Sequence, residues 1–243
     1  MKDNPKTVAL VQARMGSSRL PGKMMMDLCG YPVLHWVLYR VKQAQRLDDV
    51  VLATTQRKQD DPLVRLAGNL SVSSFRGSEA DVLGRFAEAA RVTGCHLVVR
   101  VCADNPLIAP EEIDRLVDFY RSLLNQDADP DRLYAFNHLP RLGNRYADGL
   151  GAEIFSQKLL QNLASLAVAP LQREHVTTYL WEHAADYDIH AVPAPPEVAY
   201  PEVKLDVDTP EDLERLRILC ARLSLQSSGR DIVLAYRKQF GLC

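Results

Sequence analysis

VALVQARMGSSRLPGKMM, Val8 to Met25, is the stretch that decides how the rest of the chain is read. The apolar run from Val8 to Val11 has the make-up of a buried strand. It ends in a polar loop that carries Gly16, Gly22, the serines Ser17 and Ser18, and three cations, Arg14, Arg19 and Lys23. A buried strand that opens into such a loop predicts an anion cradle at the edge of a sheet. Hydroxyls and backbone N–H groups line the cradle, while guanidinium forks and an ammonium supply the charge that a polyphosphate demands. The loop is not a P-loop: Gly16 and Gly22 are separated by five residues where G-x-x-x-x-G-K-[ST] has four, Pro21 removes a donor, and Met24 stands where a magnesium-binding hydroxyl belongs. Nor is it G-x-G-x-x-G, because no second glycine follows Gly16 at that spacing.

Outward from this loop the pattern alternates. Pro32 can open a helix whose apolar face is Val33, Leu34, Val37, Leu38 and Val41, and Asp49 precedes a second strand, VVLAT. A helix from Asp60 or Asp61 carries Leu63, Val64, Leu66 and Ala67, a weaker strand is read over Ser71 to Phe75, and a helix follows over Asp81 to Arg91. HLVVRV is the third convincing buried strand. Short strands alternating with longer helices specify the α/β class, a mostly parallel sheet with helices on both faces.

Ligands of such sheets bind at the carboxyl ends of the strands. Asp104, in VCADNPLI, leaves the end of HLVVRV on the side where the phosphate loop must lie, a placement suited to a metal ligand and equally to a turn former. Near the far end, VKLDVDTPEDLERLRIL reads as a strand with Asp206 and Asp208 on one side. A helix follows it, capped by Thr209, with Pro210 in its first position and Glu211 and Asp212 near its positive end. Residues 123–155 break the alternation and read as an insert or dimer arm within a single domain spanning 1–243. LQREHVTTYLWEH reads as one helix with Leu171, Val176, Tyr179 and Leu180 inward; its two histidines are eight residues apart, so no H-E-x-x-H zinc site is present. Asp186 to Val192 reads as an edge strand and Asp231 to Phe240 as a closing helix.

Composition narrows the function. A net charge of -2 argues against a general nucleic-acid surface, so the basic loop is a local feature and any nucleotide partner is small. The five cysteines, Cys29, Cys95, Cys102, Cys220 and Cys243, include no C-x-x-C pair and fit a reducing cytosol. The first apolar run is too short for a signal peptide and no stretch is long enough to cross a membrane, so the expectation is a cytoplasmic protein with no membrane partner.

ARMGSSRLPGK resembles the signature of the cytidylyltransferases that make CMP-activated acidic sugars, most closely their spore-coat-polysaccharide branch. V-D-T-P-E-D-L at 207–213 and R-E-H-V-T at 173–177 resemble further motifs of that family, and Asp148, Gly149, Leu150, Glu153 and Phe155 match its P-D-G-L-D-x-E-x-F pattern while Ala147 and Gly151 depart from it. The resemblance implies a Rossmann-like nucleotide-diphospho-sugar transferase fold and a homodimer, acting on CTP and an acidic sugar with Mg2+. Arg14 and Lys23, nine positions apart, would hold the triphosphate, with Ala13, Gly16, Ser17 and Arg19 around it and Gly77 and Ser78 near the base. Asp104 and Asp208 would hold the metal, with Asp206 as a third carboxylate, and Asp148, Glu153, Arg173 and His175 would face the sugar. Two other readings compete: a D-x-D glycosyltransferase, whose motif usually sits mid-chain, and a catalytically silent nucleotide-binding regulator.

Overall fold

Thr7–Gln12 (β1) is buried on both faces for five of its six residues, as only a central strand covered by helices on each side can be. Around it a computed structural model describes residues 5–242. Next come a two-stranded ribbon, β2 (Asp27–Leu28) with β3 (Tyr31–Pro32), then α1 (Val33–Val41), β4 (Asp49–Thr55), α2 (Asp61–Asn69), β5 (Ser73–Gly77), α3 (Val82–Thr93) and β6 (Leu97–Cys102). The second half runs α4 (Pro110–Leu124), β7 (Leu133–Phe136), β8 (Glu153–Ser156), α5 (Gln157–Leu166), α6 (Pro170–Glu174), α7 (Thr178–Glu182), β9 (Asp188–Ala191), α8 (Pro210–Cys220) and α9 (Gly229–Phe240).

The main sheet has seven strands in the order β5-β4-β1-β6-β8-β7-β9. Every neighbouring pair is parallel except those made by β8, which runs antiparallel to β6 and β7. This is the mostly parallel mixed α/β sheet expected from the sequence. One apolar layer packs α1, α2, α4, α8 and α9 on one face, and a second packs α3, α5 and α7 on the other. Because β5, β4, β1 and β6 all point the same way, their exits gather on a single edge: Gly77–Ser78, Thr55, the 13–22 loop and Asp104.

Several local expectations are corrected. The weak strand lies at Ser73–Gly77, two residues later than its pattern suggests, because Ser71 takes a left-handed φ of 53° that closes the turn out of α2. The helix read over 171–183 is two short helices, broken where His175 turns extended (φ -112°, ψ 102°), and Leu171 is 64% exposed, not inward. Residues 203–208 keep the in-and-out alternation but join no sheet, making one isolated bridge between Lys204 and Asp148. The 123–155 region supplies β7 and β8 to the main sheet, so its strands are part of the core; the connection between them is exposed at 140–143 but buries Tyr146, Ala147, Leu150 and Ala152. Helices α4 and α5 are elements the sequence reading does not assign.

Candidate active site

The loop after β1 is drawn closed by its own backbone. Ala13 still donates to the Ala53 carbonyl of β4 (3.4 Å), and the Met15 amide donates to the buried Asp60 carboxylate (2.8 Å), which also accepts from the Thr55 hydroxyl. The Met15 carbonyl accepts from the amides of both Ser17 and Gly22 (3.0 Å each), and Ser17 Oγ accepts from the Leu20 amide (3.3 Å). Gly22 takes a φ of 74°, a left-handed turn that L side chains resist, and this lets the chain reverse into the single 3-10 turn at Lys23–Met25. The result places Lys23 beneath the loop, only 8% exposed.

Lys23 is where distant parts of the chain meet. Its Nζ donates to the Val207 carbonyl (2.7 Å) and to Asp208 Oδ1 (3.0 Å), and it lies 3.8 Å from Asp104 Oδ2. Arg19 holds the other Asp208 oxygen at 2.8 Å. Segment 203–208 is laid beside the exits of β6 and of the β7–β8 connection by three backbone bonds: Val207 to Asp104 (2.8 Å), Leu205 to Asp148 (3.1 Å), and Asp148 to Val203 (3.0 Å). Asp208 is fixed from behind as well, its amide donating to Asp212 in the capping box that starts α8.

The charges at this edge are out of balance. Desolvation pushes the half-buried Asp104 above the usual carboxylate range; Lys23 pulls against that, and the Asp208 and Asp206 charges add to the rise. Burial, then Asp206, raise Asp148 to about 6 in spite of Lys204. Four carboxylates therefore crowd a corner where Lys23 and Arg19 are the cations bonded to Asp208. Among the described residues no three His, Cys, Asp or Glu side chains converge tightly enough to form a ready metal cage. Asp104 and Asp208 share the Lys23 ammonium, while Asp206 acts on Asp104 through its charge. Two carboxylates beside an anion cradle are a donor set that suits a hard divalent cation, which prefers oxygen ligands and keeps waters and phosphate oxygens for the rest of its shell.

Beside the loop opens a cleft of about 1210 Å3, lined by Arg14, Gly77, Ser78, Asp81 and Arg173 among others. Gly77 has no alternative: a Cβ there would stand 2.8 Å from Arg85 Cγ and 3.1 Å from the Phe75 ring. Ser78 is pinned at both ends, its hydroxyl accepting from the Asp81 amide (3.0 Å) and its carbonyl from Arg85 (2.5 Å). Arg14 leans across the cleft to Glu174 at 3.5 Å, an exposed pair that leaves it free to turn to a ligand.

The remaining sequence candidates divide. Arg173 lines the cleft but is committed, pairing with Asp81 at the start of α3 and donating to the Ala164 carbonyl (2.5 Å). Glu153, expected to face a sugar, is buried against Arg100 and accepts from the Tyr134 hydroxyl (2.5 Å). Burial alone would raise it, but Arg100 and these hydrogen bonds outweigh that and hold the carboxyl near 2. His175 sits at the end of α6, exposed. Two residues that matter escaped the sequence reading. Asp60 ties the loop to β4, and Arg100 carries a charge inside an apolar strand; the second was signalled by the lone arginine of HLVVRV.

Comparison with known proteins adds the following. A family model described as cytidylyltransferase matches residues 8–234. The spore coat polysaccharide biosynthesis protein SpsF of Bacillus subtilis is 31% identical over 215 residues, covering 86% of this chain and 84% of that protein. A 3-deoxy-manno-octulosonate cytidylyltransferase of Anaeromyxobacter sp. (strain K) is 31% identical over 247 residues, covering 87% and 96%. The solved structure of a cytidylyltransferase from Leptospira borgpetersenii serovar Hardjo-bovis superposes with a TM-score of 0.88 at 32% identity, covering 98% of this chain and 97% of that one.

Proposed function

The chain belongs to the cytidylyltransferase family, and from that premise we propose that it transfers CMP from CTP to an acidic sugar of the octulosonate or nonulosonate type, releasing pyrophosphate. An acceptor oxygen forms a bond to the α-phosphorus as the bond from that phosphorus to the pyrophosphate oxygen breaks; the acceptor gives up its proton to solvent or to a carboxylate. The reaction needs anions held together and a leaving charge stabilised, which positioning and electrostatics supply without a covalent nucleophile.

In this reading Arg14, Arg19 and Lys23 hold the triphosphate, with the backbone of Ala13, Gly16 and Ser17 lining its path. Gly77 and Ser78 form the floor on which the base lies. Asp104 and Asp208 hold Mg2+, with Asp206 contributing charge at its flank. When bound, the ion offsets phosphate charge and that of the two carboxylates. The observation that carries the proposal is the meeting at Lys23: a nearly buried ammonium from the phosphate loop sits against both aspartates, each at the end of a different chain segment. We further assign a homodimer, from the long β7–β8 connection with its exposed tip at 140–143, and a cytoplasmic place; among the described residues no helix is long and apolar enough to cross a membrane. The SpsF likeness supports a product destined for surface polysaccharide.

The test is pyrophosphate release across the four common nucleoside triphosphates with a panel of acidic sugars. Release with CTP, dependent on a divalent ion and on an acidic acceptor, is the expected result. Release that ignores the acceptor, or none with CTP and any member of the panel, overturns the proposal.

A further inference from the structure

A second cavity, of about 250 Å3, lies on the same face of the sheet as the nucleotide cleft and shares a wall with it. That wall is the break between α6 and α7: Arg173 and Glu174 face the cleft, while His175, Thr177 and Thr178 face the cavity. The link to the phosphate loop is direct, since Arg100 at the cavity floor donates to Gln12 (3.3 Å), the last residue of β1. The cavity is about a fifth the size of the cleft, which suits one monosaccharide and not a second nucleotide.

Its charge is uneven in a telling way. Arg100 is cancelled by Glu153, the only carboxylate among the lining residues. Arg141 is not cancelled. Its guanidinium lies over the Trp181 ring, Cζ 3.7 Å from the centroid, and among the described residues its side chain makes no ion pair or hydrogen bond. A guanidinium stacked on an indole keeps its N–H fork open to a planar or tetrahedral anion. Beside it His138 buries an Nδ1 that has no partner. Burial pushes this imidazole below its ordinary value, so at neutral pH it is an uncharged hydrogen-bonding group.

The placement of Arg141 is built, not incidental. Leu142 and Arg145 hold left-handed φ of 51° and 64°, conformations that cost energy in residues other than glycine. The nearly buried Asn144 side chain secures the bend, accepting from the Arg141 and Tyr146 amides (3.2 Å each) and donating to the Leu139 carbonyl (3.0 Å). A strained turn is thus spent on presenting one unpaired arginine to one cavity.

The geometry points to this cavity as the acceptor subsite, with Arg141 reading the acceptor's anionic group and His138 as its neutral hydrogen-bonding neighbour. The inference rests on the cytidylyltransferase reading and names the residue that selects a charged sugar over a neutral one. A sugar carboxylate and a sugar phosphate share this chemistry, and the experiment separates them.

Wild type, Arg141→Ala and Arg141→Lys are compared with 3-deoxy-manno-octulosonate, N-acetylneuraminate, the methyl ester of each, and a hexose 1-phosphate. Binding is read from Trp181 fluorescence, with Trp181→Phe as the control, and so needs no turnover; KM for sugar and for CTP follow where turnover occurs. Arg141→Ala should weaken the preferred anionic sugar at least tenfold, abolish its advantage over the neutral ester and leave the KM for CTP unchanged, with Arg141→Lys between. Whether the acids or the phosphate are preferred identifies the anion. The inference is overturned if Arg141→Ala keeps the wild-type preference, if its KM for CTP rises as much as that for the sugar, or if wild type binds none of the anionic sugars. Anionic sugar binding that depends on Arg141, with no pyrophosphate release, would uphold the subsite and reject the function instead.

Discussion

One strand carries two opposite treatments of charge. Arg100 lies within β6 and Asp104 just past its end, four residues apart. Arg100 is nearly enclosed and its charge is balanced: Glu153 pairs with it and is held in turn by the Tyr134 and Thr177 hydroxyls, while Gln12 takes another N–H. Asp104 is partly open and under-partnered, sharing the Lys23 ammonium with Asp208 while Asp206 adds like charge. A charge balanced inside the fold holds structure together; charges of one sign left in excess at an accessible edge call for a ligand. The same strand thus holds a balanced charge at Arg100 and leaves an unbalanced one at Asp104, where the proposed function puts the chemistry.

The sharpest way to break this contrast is Asp208→Asn. Its turnover with CTP and Mg2+ should fall by about 100-fold or more, while thermal unfolding shows the fold intact, because a surplus negative charge has been removed. Equal losses of activity and stability would make the acidic edge as structural as the Arg100 pair. Glu153→Gln should do the reverse. With Arg100 left unpaired, urea unfolding at pH 7 should report a loss of about 3–5 kcal/mol. The sign with pH follows from the depressed carboxyl: the stabilisation is present above the ordinary glutamate value of 4.5 and is lost as pH falls toward about 2, so the gap between wild type and variant should hold steady down to about pH 5 and then narrow. Asp148→Asn is the mildest. Because Asp148 is raised from 3.8 to about 6, its stabilising influence is present below about pH 4 and is lost as pH rises through about 6. The asparagine variant should therefore melt about 2–4 °C above wild type at pH 8 and level with it below pH 4. An unchanged difference across that range would place the strain elsewhere than in the charge.

Much of the fold was legible because its signals are local. Buried parallel strands read as apolar runs, and VALV, VVLA and LVVRV are such runs; Thr209 with Pro210 announces a helix whatever surrounds it. The loop's three cations, Asp104 just past a strand and Asp208 just before a helix cap could be picked out for the same reason. What escaped depends on contacts between distant segments. Nothing near Glu153 in sequence says that it will pair with Arg100 across two antiparallel strands. The break at His175 comes from the packing of two short helices against α3 and α5, and periodicity alone cannot see it. Residues 203–208 alternate as a strand does, yet their partners are the backbones of Asp104 and Asp148 and not a sheet. Arg141 carries no motif at all; only the strained turn and the Trp181 ring give it a role.

The bonds from Lys23 to Val207 and Asp208 join positions 184 and 185 residues apart. A ribosome delivers the basic loop early and its acidic counterpart only near the end of synthesis, after every strand of the main sheet has emerged. Until then Lys23 has neither Val207 nor Asp208 to meet, and the edge that would grip a metal lacks one of its two carboxylates. The nascent chain therefore carries a basic loop without its acidic counterpart, and on the proposed function the site is completed only as a last folding event. On the same reading, a lesion that loosens α8, far from the loop in sequence, should silence turnover while the basic loop remains in place.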